Sequence, residues 1–146
     1  MLYFEQIPVG YSCTIGAWQL NEADVIAFAR AWDPQPFHID KAAAETSMFG
    51  ELVASSLHVF AICTRLFFDH DDEIQVMAML GKDKIRFSHP ARATDLLVYT
   101  TECTSAKPST TKSDRGIIVL ADSVARDSGE VVMTQEVTLM VAREPG

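Results

Sequence analysis

Apolar residues change their spacing partway along this chain, and the change separates a helical first half from a stranded second half. Tyr11 to Gln19 reads as an opening strand. Asn21 then caps a helix whose apolar positions Val25, Phe28, Ala29 and Trp32 follow the i, i+3, i+4, i+7 spacing. Asp40 is placed to cap a short turn or helix through Lys41 to Glu45, and Gly50 marks a break. From Ser56 to Phe68 most side chains are apolar and leave almost no polar face, the mark of a helix enclosed by protein. The enclosing elements follow as strand-like runs at Gln75 to Leu80, Lys84 to Ser88, Leu96 to Ser105, Gly116 to Arg126 and Glu130 to Val141. In the last run Val131, Met133, Val137, Leu139 and Val141 share a face by alternation, after a hairpin turn at Asp127-Ser128-Gly129. One buried helix and five or six long strands, antiparallel by their hairpin spacing, predict an α+β domain. The segment Lys107 to Asp114 is a polar loop.

Composition narrows the setting. The 146 residues, 48% hydrophobic and 22% charged, make one domain over 1–146 with enough apolar mass for a real core. The N-terminus MLYFEQIPVG has no basic segment followed by an apolar core, and no apolar run approaches the ~20 residues of a membrane span. A soluble protein with no membrane partner is expected. Cys13, Cys63 and Cys103 are odd in number, scattered and form no CxxC pair, which argues against a disulfide framework or zinc site and for a reducing cytoplasm. A net charge of −8 makes nucleic acid an unsuitable partner.

Candidate chemistry concentrates in WDPQPFHID, Trp32 to Asp40. Pro34 and Pro36 disfavour the α region in the residues before them and remove backbone donors, so irregular, pre-shaped backbone is expected between Asp33 and His38. A carboxylate and an imidazole held together supply an acid and a base near neutral pH, which addition or removal of water across a C=C bond requires. Alone, Asp33 reads as a polar helix stop and His38 as a loop imidazole; together they form a site. Asp40 reads as a cap, and His58, in the first turn of the buried helix, as packed or hydrogen-bonded structure. His70 stands among Asp69, Asp71 and Asp72, but contiguous residues rarely converge on one ion, so this is a solvated helix end and no metal is expected. His89 precedes Pro90 and ends a strand.

These residues carry a resemblance. ADVIAFARAWDPQPFHID, the stretch FGELVASSLH at Phe49 to His58, RFSHPARATD at Arg86 to Asp95 and the SAKPSTTKSDRG loop at Ser105 to Gly116 together resemble the MaoC-like acyl dehydratases, the family of (R)-specific enoyl-CoA hydratases. The resemblance implies a hot dog fold, a long antiparallel sheet wrapped around a buried helix. The Asp-x4-His motif is its most specific part. It implies that Asp33 and His38 bind one water, Asp33 drawing a proton from it while His38 protonates the α-carbon. It further implies that the helix N-terminus at Ser55-Ser56 offers the Ser56 backbone N–H to the thioester oxygen, an apt place for a developing enolate. Ser56 stands where the family usually has Gly; the N–H survives, a Cβ is added beside the thioester path, and the hydroxyl could itself cap the helix. Thr64 falls where the family can place a hydroxyl supporting the aspartate, or it back-bonds to its own helix.

The expected activity is hydration of trans-2-enoyl thioesters to (R)-3-hydroxyacyl thioesters, or the reverse dehydration, without metal or redox cofactor. Coenzyme A or acyl carrier protein would be the substrate handle, and Lys107, Lys112 and Arg115 are candidates for its phosphates. A hot dog thioesterase is the alternative within enzymology, but many of those enzymes carry a carboxylate on the central helix, and Ser56 to Phe68 has no Asp or Glu. A non-catalytic acyl-binding subunit of a larger complex is the alternative outside it. Two such domains are expected to pair side by side into a homodimer or a multiple of it, because exposed strand edges are normally covered or paired.

Overall fold

A computed structural model describes all 146 residues. Its elements are β1 (Ser12–Gln19), α1 (Glu22–Trp32), α2 (Pro36–Ile39), α3 (Lys41–Glu45), α4 (Ser56–Asp69), β2 (Val76–Phe87), β3 (Leu96–Pro108), β4 (Arg115–Arg126) and β5 (Val131–Ala142). The five strands form one antiparallel sheet in the order β1-β3-β4-β5-β2. Consecutive strands β3, β4 and β5 are joined by hairpins; the second turns at Gly129, whose φ of +98° suits a residue without Cβ. Strict alternation of buried and half-buried residues along β4 puts one face of the sheet against α4. That helix packs Val59, Ile62, Cys63 and Leu66 into a core with Leu97, Tyr99, Val124 and Met133. It lies so close to β1 that a Cβ on Gly16 would stand 3.1 Å from Leu66. No helix is long and apolar enough to cross a membrane.

Several expectations shift in detail. The prolines do not exclude helix from Asp33–His38: Pro36 opens the single-turn α2 as its first residue, where its missing N–H has no partner to lose, and Gln35 before it is extended as Pro requires. The two runs read as Gln75–Leu80 and Lys84–Ser88 are one strand, β2, which crosses Gly81-Lys82-Asp83 with register shifts rather than a turn. Such bulges bend the strand without ending it. On β5 the inward series Met133, Val137, Leu139, Val141 includes Gln135, whereas Val131 gives up the fully buried place to Val132 beside a register shift at Val124/Ala125.

Candidate active site

The site forms where α1 ends, α2 turns and α4 begins. Asn21 starts α1 by accepting from the Asp24 N–H at 2.9 Å, and Asp33 ends it, its N–H donating to Ala29. Helix α2 then lifts His38 into the protein, 7% exposed, five residues after Asp33. There Nδ1 lies 2.6 Å from the Val53 carbonyl. A carbonyl only accepts, so Nδ1 carries the proton and Nε2 is left for chemistry. His38 Nε2 faces Asp33 Oδ2 at 3.4 Å.

The same Asp33 oxygen accepts from Ser55 Oγ at 2.7 Å. Ser55 is fully buried and acts twice, because its Oγ also accepts from the Leu57 N–H at 3.2 Å as the N-cap of α4. The His58 and Val59 N–H groups donate to the Ser55 carbonyl. Ser56 is the first helical residue, so the helix supplies no acceptor for its N–H, which stands at the positive end of a 14-residue helix. A cavity of about 460 Å³ opens at this point, lined by His38, Val53, Ser56, Val59 and Phe87 among others. The arrangement thus opens an imidazole and a backbone donor onto one largely apolar pocket, with the Asp33 carboxylate adjoining them through His38 and Ser55.

The strand of chain from Leu52 to Ser55 that carries Val53 and Ser55 is itself tied down. Ala54 N–H donates to Ala91 at 2.8 Å and Ala93 N–H to Leu52 at 3.1 Å. The facing loop is fixed by the buried Arg126, which donates to the Pro90 carbonyl at 2.6 Å and to Asp95 at 3.0 Å.

Of the residues marked in the sequence, Asp33, His38, Ser55 and Ser56 converge. Thr64 does not: its hydroxyl donates to Phe60 of its own helix at 3.0 Å, two turns beyond Ser56, and it supports no carboxylate. Lys107, Lys112 and Arg115 lie around the β3–β4 hairpin, at the end of the sheet opposite Leu97 and Arg126, to which the site is tied. Arg115 is held there by Asp114 at 2.8 Å, a pairing that keeps the carboxyl below its ordinary range. Asp40 is the cap of α3, accepting from Ala42 and Ala43. His58 stacks on Phe28 at 4.5 Å, its Nδ1 buried without a partner. His70 caps the far end of α4 and meets Cys13 Sγ at 3.9 Å. His89 holds the Val131 carbonyl from beyond the end of β2.

A second group was not legible in the sequence. Asp122, 3% exposed, accepts from Thr101 Oγ at 2.7 Å, Tyr99 Oη at 2.9 Å and Gln135 Nε2 at 2.8 Å. Burial pushes its carboxyl above the ordinary range while the three donors pull against that shift. These residues come from three strands, and only the register unites them; the strict alternation along β4 was the one available hint that Asp122 points inward.

A single antiparallel sheet with one long helix laid along its face is the hot dog fold, and solved structures share it closely. The MaoC-like dehydratase of Rhodospirillum rubrum is 31% identical, with a TM-score of 0.92 over 100% of both chains. R-Hydratase PhaJ1 of Pseudomonas aeruginosa, 23% identical, superposes with a TM-score of 0.78 over 97% of this chain and 86% of its own. Residues 8–123 match the MaoC like domain, and the chain belongs to that family. Over 114 residues, 77% of this chain, it is 33% identical to Protein MaoC of Klebsiella aerogenes, of which the match covers 33%.

Proposed function

We propose that this protein adds water to trans-2-enoyl thioesters to give (R)-3-hydroxyacyl thioesters, and runs the reverse dehydration, with Asp33 and His38 as the proton-transferring pair. The observation that carries the reading is the placement of Asp33 Oδ2 between Ser55 Oγ and His38 Nε2, beside the free Ser56 N–H. With the thioester oxygen on that N–H, charge developing during addition meets a fixed donor and a helix dipole. In hydration Asp33 takes a proton from water as its oxygen bonds to the β-carbon. His38, protonated at Nε2, gives a proton to the α-carbon. The pair ends with one proton on Asp33 and none on Nε2, and transfer between the two restores the starting state. Dehydration begins from that second state, so one proton shared by the pair serves both directions.

Membership of the MaoC-like family supports this reading, and so do neighbours described as a dehydratase and an R-hydratase. The absence of Asp and Glu between Ser56 and Phe68 speaks against the thioesterase alternative. The handle is coenzyme A or acyl carrier protein. Lys107, Lys112 and Arg115 are not placed to hold it at the site of their own chain. Incubation with a panel of trans-2-enoyl-CoA thioesters, following loss of the conjugated-thioester absorbance, should show hydration; release of free thiol without hydration would instead make this a thioesterase.

A further inference from the structure

A polar rung crosses the inner face of the sheet beneath α4, between rungs that are mainly apolar. Thr101, Asp122 and Gln135 are directly paired across β3, β4 and β5. The rungs on either side are Tyr99–Val124–Met133 and Cys103–Leu120–Val137, so the polar rung stands between mainly apolar ones, joined by the Tyr99 hydroxyl. Lys82 of β2, which pairs with Val137 of the next rung, reaches diagonally to the line, donating from Nζ to Gln135 Oε1 at 3.3 Å and standing 5.6 Å over the Phe60 ring. Asp122, Gln135, Lys82 and Tyr99 line a cavity of about 420 Å³ whose other walls include Cys63 and Leu139. This cavity and the one at His38 lie end to end along α4 and β2: Ser56 and Phe87 line one, Cys63 and Lys82 the other. The T-shaped pair Phe60–Phe87 stands between them, ring centroids 5.7 Å apart.

The network's capacity defines what it can hold. An ionised carboxylate has about four acceptor positions, and the chain fills three on Asp122. An ammonium has three N–H donors, and Lys82 spends one on Gln135. The cavity therefore presents both an acceptor and a donor, from one acidic and one basic side chain in balance. A second carboxylate would break that balance in a buried site, and a purely apolar chain would leave the polar groups facing carbon. A neutral group that both donates and accepts suits both residues. We infer that the cavity at Asp122 and Lys82 is a subsite for an acyl tail bearing a hydroxyl group, the hydroxyl donating to Asp122 and accepting from Lys82. The inference rests on the hydratase reading above. Ser56 and Cys63 stand seven positions apart on the helix, roughly 10 Å at 1.5 Å per residue, so the hydroxyl lies far along the tail and the chain reaches it past Phe60.

The test compares two matched series of medium-length trans-2-enoyl-CoA thioesters, one unsubstituted and one hydroxylated near the end of the tail. At the fitting length the hydroxylated thioester should have the higher kcat/KM by roughly tenfold or more, since a site built around a hydroxyl discriminates against its absence. Asp122→Asn and Lys82→Met should each bring that ratio towards one. The lysine is half-buried on an edge strand, so Lys82→Met keeps the test open should Asp122→Asn fold poorly. Hydration of the unsubstituted series with no hydroxyl preference at any length would overturn the subsite and leave the hydratase reading standing. A preference surviving both substitutions would also overturn it. Hydration of neither series would remove the reading itself, and the subsite with it.

Discussion

At Asp33 one carboxylate oxygen meets two partners, and the consequences are measurable. Asp33→Asn and His38→Gln should each lower hydration by roughly 10²–10⁴, the worth of a positioned acid or base; both should fold, with thermal unfolding lowered in His38→Gln, which loses the buried bond to Val53. Because the pair shares one proton, the double variant should be little worse than the worse single one; additive losses would place the two residues in separate steps. Ser55→Ala removes two bonds at once. It should cost about 1 kcal/mol of stability as a lost cap, read by denaturant titration, and lower turnover by about tenfold or more through Asp33. At Ser56, Pro should cost on the order of 10²–10³ in turnover, while Gly retains or raises it, provided circular dichroism shows both folded. The Asp33–His38 pair was legible because its members are neighbours in sequence and mean little apart. Asp122 was not, since Tyr99 lies 23 residues and Gln135 13 residues away and no local pattern links them. Thr64 misled because helical spacing gives a residue's face but not whether its hydroxyl turns back on the helix.

Two elements depend on single polar side chains in the interior. Arg126, 4% exposed, joins the end of β4 to Asp95 and Pro90. Arg126→Gln should destabilise the protein by roughly 3–5 kcal/mol in urea unfolding, because it leaves the nearly buried Asp95 carboxylate without its cation, held by the Arg92 N–H alone. His58 fixes α4 against α1, and burial lowers its pKa below the ordinary 6.5. The unfolded chain then binds the proton more readily, so the stabilising effect is present above about pH 6.5 and is lost as pH falls below that value towards the folded-state pKa. His58→Leu should flatten this part of the stability curve; an unchanged slope would assign it to other groups. Element boundaries followed the sequence wherever a cap or a strict alternation marked them, as at Asn21, Asp40 and β4. They failed at Gly81-Lys82-Asp83, where the same residues that make turns also make bulges, and pairing with β5 decides between the two.

The whole molecule leaves β2 at the edge of its sheet, with Met77, Met79 and Leu80 between 44% and 57% exposed. An unpaired apolar edge of this kind is a pairing surface, and we expect two chains to join there into a dimer. Light scattering should give twice the chain mass, and Met79→Lys should shift it towards the monomer; an active wild-type monomer at assay concentration would refute the expectation. The α+β class was legible at this scale because a helix so rich in apolar residues needs a sheet to cover it; the sheet covers one side of α4 only and leaves Leu57 and Phe68 46% and 77% exposed, so the full enclosure expected from the sequence is not met within one chain. The strand order needed long-range register that hairpin spacing supplies only for β3, β4 and β5. The bonds from Ala54 to Ala91 and from Ala93 to Leu52 fasten the segment beneath His38 to a loop that Arg126 holds. Both amide protons are therefore expected to exchange with deuterium only as fast as the entire domain opens. Catalytic geometry in this protein would then vanish together with the fold, rather than fading earlier as a loose loop would, and heat inactivation should track unfolding degree for degree.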